Sequence, residues 1–225
     1  MTQYSEGALN RVERRKARIR ADLVQAAQAF IAAGRTNVSV LEITQAADVG
    51  TGSFYNHFKS KEELYQVAVE SALDMYGSLL DGLTTELADP AHIFAQNFRM
   101  TGRLHRRYPE LSKVLLRSGL DIVGSVKGVA TRARRDVDAA VRAGRFGARD
   151  IAPVLVIVAG SMLRLGEFLH AHPERDDANT TDQVAEELLR MFGLSADEAR
   201  EICLRPLPDM PTVLTGRQRT RESTP

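Results

Sequence analysis

Four times along this chain a serine or threonine stands three residues ahead of a glutamate or glutamine: Ser39–Glu42, Ser60–Glu63, Thr180–Gln183 and Ser195–Glu198. In such a pair the hydroxyl accepts the backbone N–H of the third residue, and the longer side chain reaches back to the first. Each pair opens a segment whose apolar residues recur at helical spacing, and no stretch sustains the alternation of a strand. The pattern predicts an all-α fold.

The elements follow from that spacing. Ile19, Leu23, Ala27, Phe30 and Ile31 form the stripe of a first helix over about 12–33, closed by Gly34. Two short helices, 39–47 and 51–58, flank a turn at 48–50. A longer one begins at Ser60 and carries Leu64, Val67, Ala68, Ala72, Met75 and Leu79. Asp89-Pro90 and Tyr108-Pro109 break the chain on either side of a helix marked by Phe94, Phe98, Thr101 and Leu104; Leu111, Val114 and Leu115 mark the next. Val126, Val129, Ala133, Val137 and Val141 predict an arginine-rich amphipathic helix ending at Gly144. Asp150 and Pro153 open an apolar helix to about residue 170, expected to be buried. Helices over about 181–193 and 196–203 precede a loose, basic tail that starts at Pro206.

Several functions fall away on composition. A chain of 225 residues with 44% apolar and 26% charged residues has the make-up of a soluble globular protein, and a net charge of +1 gives no global pull toward polyanions. One cysteine, Cys203, builds neither a disulfide framework nor a thiolate zinc site and suits a reducing cytoplasm, the expected location. The charged N-terminus lacks an apolar core segment, and the longest apolar run, from Ile151, is interrupted by Arg164 short of a membrane span, so no membrane partner is expected. His170 and His172 have no carboxylate or cysteine at ligand spacing, and no nucleophile, phosphate-loop or dinucleotide motif occurs. We therefore expect no metal, no cofactor and no enzymatic activity.

The stretch VGTGSFYNHFKSKEEL, residues 49–64, is too polar for a core yet rich in aromatics. Two short helices and a tight turn make a helix-turn-helix, packed through Val40, Ile43, Ala47 and Val49 and anchored by Phe54 and Phe58. Thr51, Ser53, Tyr55, Asn56 and His57 then face outward; all can donate hydrogen bonds and none is acidic, a surface suited to phosphates and base edges. Gly52 lacks a Cβ and admits a closely approaching duplex. Lys61 sits in the first turn of the following helix, where its charge and the free amides favour a phosphate. On periodicity alone a capped helical hairpin with an exposed polar face accounts for these residues equally well.

Residues 38–70, VSVLEITQAADVGTGSFYNHFKSKEELYQVAVE, resemble the N-terminal DNA-binding signature of the TetR/AcrR family of transcriptional regulators. Val40, Ile43, Ala47, Val49, Gly52, Tyr55, His57, Phe58, Lys61 and Leu64 match in register; Thr44, Asp48 and Gly50 depart from the usual alanine, glycine and serine. The resemblance implies that Tyr55 and Lys61 hold phosphates, that Thr51, Ser53, Asn56 and His57 meet the groove, and that Ser39 touches the DNA backbone. Upstream, the basic stretch from Arg11 to Arg20 reads either as a solvated helix face or as an arm in which Arg14, Arg15 and Arg18 track phosphates.

The same resemblance implies a DNA-binding domain over 1–65, an effector-binding and dimerisation domain over 66–208 and a disordered tail over 209–225. It implies a ligand-responsive regulator, most simply a repressor that binds a palindromic operator as a homodimer and is released by a small hydrophobic effector. Val154, Leu155, Val158, Ser161, Met162, Val184, Leu188 and Phe192 are the candidate dimer residues, although intrachain core explains the same apolar pattern. Met75, Phe94, Phe98, Met100, Met162 and Phe168 are the candidate effector-pocket lining, with core packing as the simpler account.

Overall fold

The computed structural model describes residues 3–118, 129–147 and 150–209, without the side chains of 3–10, 114, 117, 118 and 129. Val126, the side chain of Val114 and the expected tail from residue 210 onward lie outside the described residues. Among those described, the chain forms ten helices and no strand: α1 (Gln3–Ala32), α2 (Val40–Ala46), α3 (Thr51–Tyr55), α4 (Lys61–Leu83), α5 (Pro90–Arg107), α6 (Pro109–Ser118), α7 (Val129–Arg142), α8 (Ile151–Ala171), α9 (Asp177–Met191) and α10 (Ala196–Leu204).

The caps explain most boundaries. Only Ser39–Glu42 closes in both directions, with the Glu42 amide donating to Ser39 Oγ at 3.2 Å and the Ser39 amide donating to Glu42 Oε2 at 2.9 Å. Ser60 Oγ accepts the Glu63 amide at 3.2 Å, but the Glu63 carboxylate accepts from the Lys59 amide at 2.6 Å. Ser195 caps α10 while Glu198 turns away to pair with Arg145. Thr180 caps nothing: Asp176 lies one turn earlier, offers a carboxylate to the Asn179 amide at 2.9 Å, and so starts α9 before the expected position.

The chain divides into two compact units between Val69 and Glu70, so α4 belongs to both. In the first unit Leu23, Ala27 and Ile31 of α1 are fully buried with Ile43 and Phe54, and Gln28 Nε2 donates to Ala68 O at 3.1 Å, tying α1 to the start of α4. In the second unit α5 is central and packs against α6, α7, α8, α9 and α10. Phe94 of α5 meets Phe146 and Phe192 edge-on at 5.4 and 5.9 Å. Arg99, 4% exposed, is offset by a two-pronged pair with Asp182 at 2.9 and 3.0 Å and by Arg205 O at 2.9 Å.

The apolar helix α8 departs from expectation. It is long and apolar enough to cross a membrane by length and composition, yet it packs on α5, α6, α7 and α9, and its middle carries the Arg164–Glu167 ion pair. Only Val154, Val158, Leu165, Gly166 and Leu169 are buried, whereas Val156 is 73% exposed and Ile157 and Phe168 are exposed too. A nearly all-apolar sequence shows no moment from which to read which side is covered.

Candidate nucleic-acid interface and ligand cleft

In the first unit, Val49 and Gly50 lead into α3, and Asp48 turns the chain with φ 56°, the left-handed conformation that a short polar side chain tolerates. Buried Phe54 and Phe58, 5.9 Å apart, peg α3 to the core. That leaves Thr51, Gly52, Tyr55 and Asn56 exposed and Ser53 and His57 half-exposed on one continuous surface. Tyr55 is 64% exposed although its ring stands edge-on to Phe54 at 5.2 Å. A Cβ on Gly52 would meet nothing within 4 Å, so the fold itself makes no demand for glycine there. The helix is one turn shorter than its sequence suggests: Asn56 is its C-cap and His57 already lies in the turn beyond.

Two expected contacts have prior engagements. Ser39 is exposed, but its hydroxyl donates to Glu42 Oε2 at 3.0 Å while accepting the Glu42 amide, leaving no proton for a phosphate. Glu42 is held ionised below its ordinary range, first by the Ser39 amide and then by the Ser39 hydroxyl. Lys61 Nζ donates to Val38 O at 3.1 Å, which stitches α4 to the loop before α2 and leaves two ammonium protons for other partners. His57 is held below its ordinary value, first by partial burial and then by the charges of Lys16 and Arg20. Arg14, Arg15 and Arg18 are all exposed on α1.

In the second unit a cleft of about 250 Å³ opens between α4, α5 and α7, lined by Asp81, Thr84, Pro90, Ile93, Arg135, Asp136 and Ala139. Asp81, Arg135 and Asp136 of its wall belong to an ion-pair ladder that continues beyond it. Arg132 donates to Asp81 at 2.8 Å, Asp74 at 3.0 Å and Ser78 at 2.8 Å. Arg135 bridges Asp81 at 2.7 Å and Asp136 at 2.9 Å. Asn97 Nδ2 donates to Asp136 Oδ2 at 2.8 Å, and its own Oδ1 is buried without a partner. Burial pushes Asp81 up, but the guanidinium bonds of Arg135 and Arg132 outweigh it and keep the carboxyl below its ordinary range.

This cleft is not the one expected from sequence. Phe94, Phe98 and Met100 are 2%, 4% and 1% exposed and fill the core: Phe94 and Phe98 share one side of α5, Met100 lies nearly opposite Phe98, and the bundle covers both sides. Met75 and Phe168 lie on the surface, and Met162 packs beside the core. The dimer candidates divide in the same way. Val154, Val158, Leu188 and Phe192 are buried in this chain's own core and have no surface left for a partner, whereas Leu155, Ser161, Met162 and Val184 remain partly exposed. Two polar features passed unread in the sequence. One is the ladder, whose residues are scattered among other charges. The other is a buried chain in which Ser112 Oγ lies 2.7 Å from His105 Nδ1 and 2.8 Å from His170 Nε2.

Residues 23–68 match the family described as bacterial regulatory proteins, tetR family, and residues 89–205 match the tetracyclin repressor-like C-terminal domain. Among solved structures, RolR in complex with resorcinol is 33% identical, with 88% of this chain and 100% of that one covered at a TM-score of 0.69. Ligand-free RolR is 32% identical over 85% and 100% of the two chains, with a TM-score of 0.71. FadR from Bacillus subtilis in complex with stearoyl-CoA shares the fold at 17% identity and a TM-score of 0.58, covering 75% and 97%. A search of curated proteins returned no match.

Proposed function

Since the chain belongs to the tetR family of bacterial regulatory proteins, we propose that it is a repressor that binds a palindromic operator as a homodimer and leaves it when a small hydroxylated aromatic occupies the α4–α5–α7 cleft. The observation that carries this reading is the α3 surface. Tyr55, Thr51, Asn56 and Gly52 are held outward by two buried phenylalanines and offer uncharged donors with no acidic group among them. One such surface reads few base pairs, and a second head about one helical turn of DNA away supplies the rest.

A stripe of α8, with Val156, Ile157 and Phe168 exposed and Gly160 and Leu163 half-exposed, supports a self-complementary dimer face, extended by Met191 of α9, which is 62% exposed. The ligand class rests on the RolR complex with resorcinol and on the cleft itself. Its volume of about 250 Å³ lies just under the range of drug-sized sites, and the carboxylates of Asp81 and Asp136 accept from ligand hydroxyls. An occupant that draws Asp81 away from Arg132 and Arg135 loosens α7 from α4, and α4 carries the chain into the DNA-reading unit. The effector shifts the equilibrium by no more than its preference for the loosened form.

A gel shift with the duplex upstream of the protein's own reading frame tests the reading. A discrete, salt-sensitive complex that resorcinol dissolves is expected; indifference to DNA sequence sinks it.

A further inference from the structure

We infer that α1 supplies a second phosphate grip through Lys16 and Arg20, one helical turn apart on the side of α1 that stacks on Phe58, and that Arg14 and Arg18 take no part. The inference rests on the DNA-binding reading above and adds residues to it.

Helix α1 extends well N-terminal of the unit's core, whose α1 members are Leu23, Ala27 and Ile31. At about 100° per residue, Lys16 and Arg20 lie about 40° apart and fall on the line that Leu23 and Ala27 continue inward. The inward face of α1 thus runs on past the core, and there it changes from apolar to basic. Arg14 and Arg18 lie about 160° and 200° round from Lys16, on the far side. The Arg20 guanidinium is 4.9 Å from the centroid of Phe58, the residue after His57, so its position is fixed against the peg that holds α3. Both Lys16 and Arg20 are exposed, and neither forms an ion pair among the described residues. Both charges oppose the protonation of His57.

Two side chains one helical turn apart span about 6 Å along α1. Unneutralised cations beside a donor surface raise the self-repulsion of the free protein, and a strand of phosphates relieves it. A merely solvated basic face has no need of the Phe58 stack, nor of a direction that matches the core stripe.

The test is the salt dependence of binding to a labelled duplex from upstream of the reading frame, between about 50 and 200 mM salt, with melting temperature as the check on folding. Lys16→Gln and Arg20→Gln are each expected to flatten the log–log slope by about 0.9 per subunit, or about 1.8 for a dimer. Arg20→Lys keeps the charge and the slope. The double variant Arg14→Gln, Arg18→Gln keeps the wild-type slope. A folded Lys16→Gln with wild-type slope and affinity overturns the inference while leaving the DNA-binding reading intact, as does an equal loss in the double variant. A wild-type protein that shows no salt-sensitive duplex binding overturns both.

Discussion

Gly166→Ala isolates one packing contact whose cost is calculable. A Cβ on Gly166 would come within 2.4 Å of His105 Cε1, 2.6 Å of Nδ1 and 2.9 Å of Nε2. The ring has nowhere to retreat: His105 is 1% exposed and its Nδ1 is committed to Ser112 Oγ at 2.7 Å. Overpacking of this kind costs about 1–3 kcal/mol. Losing the buried hydrogen bond adds about 1 kcal/mol. Alanine returns about 0.5–1 kcal/mol because glycine is the poorer helix former. The net is a loss of about 1–3 kcal/mol, or a melting temperature lower by roughly 2–4 °C for each kcal/mol in a chain of this size. Urea titration followed by circular dichroism reads it directly. A midpoint equal to or above wild type would show that the imidazole moves freely, and the tight α5–α8 contact would be refuted.

Other outcomes follow from the same coordinates. Asp48→Gly relieves a left-handed residue at φ 56° but frees the unfolded chain, so stability is expected to change by less than about 1 kcal/mol while DNA binding is kept; a scan calorimeter and a gel shift check both. Burial depresses His105 to about 4 from 6.5, so stability is full above about 6.5 and falls progressively as pH drops toward 4; a series of denaturation curves should show this slope, reduced in His105→Gln. Cys203 is buried and its thiol is pushed up to about 11, so it should resist a thiol reagent in the native protein at pH 8 and react at once in denaturant. Asp136→Asn removes the carboxylate that binds both Asn97 and Arg135 and is expected to weaken resorcinol binding at least tenfold by calorimetry, with operator affinity kept.

What sequence conveyed depended on whether the signal was local. Helix existence came through almost everywhere, since apolar spacing and breaks such as Asp89-Pro90 act within a few residues; Asp89 does cap α5 through the Ala91 amide. Caps were legible as acceptors and less so as reciprocal pairs: Glu198 and Thr180 were claimed by Arg145 and Asp176, partners that local spacing does not reveal. The outward face of α3 was readable because buried Phe54 and Phe58 dictate which residues remain outside. On α5 and α8 the same logic failed. Phe94, Phe98 and Met100 are apolar whether they line a cleft or a core, and only the α5 neighbours decide that they are core. In α8 apolar residues occur on every side, so the buried Val154 and Val158 and the exposed Val156 and Ile157 look alike in sequence. The arm proposed for Lys16 and Arg20 rests on their helical phase relative to Leu23, a relation present in the sequence but outweighed there by the greater number of arginines.

Amide hydrogen exchange of the full chain, with and without its upstream duplex, tests the central claim most directly. Slowed exchange concentrated at α3 and the turn after it, and lost in Tyr55→Ala, is the predicted result. Protection confined to α8 and α9, or none anywhere under low salt, would contradict the account.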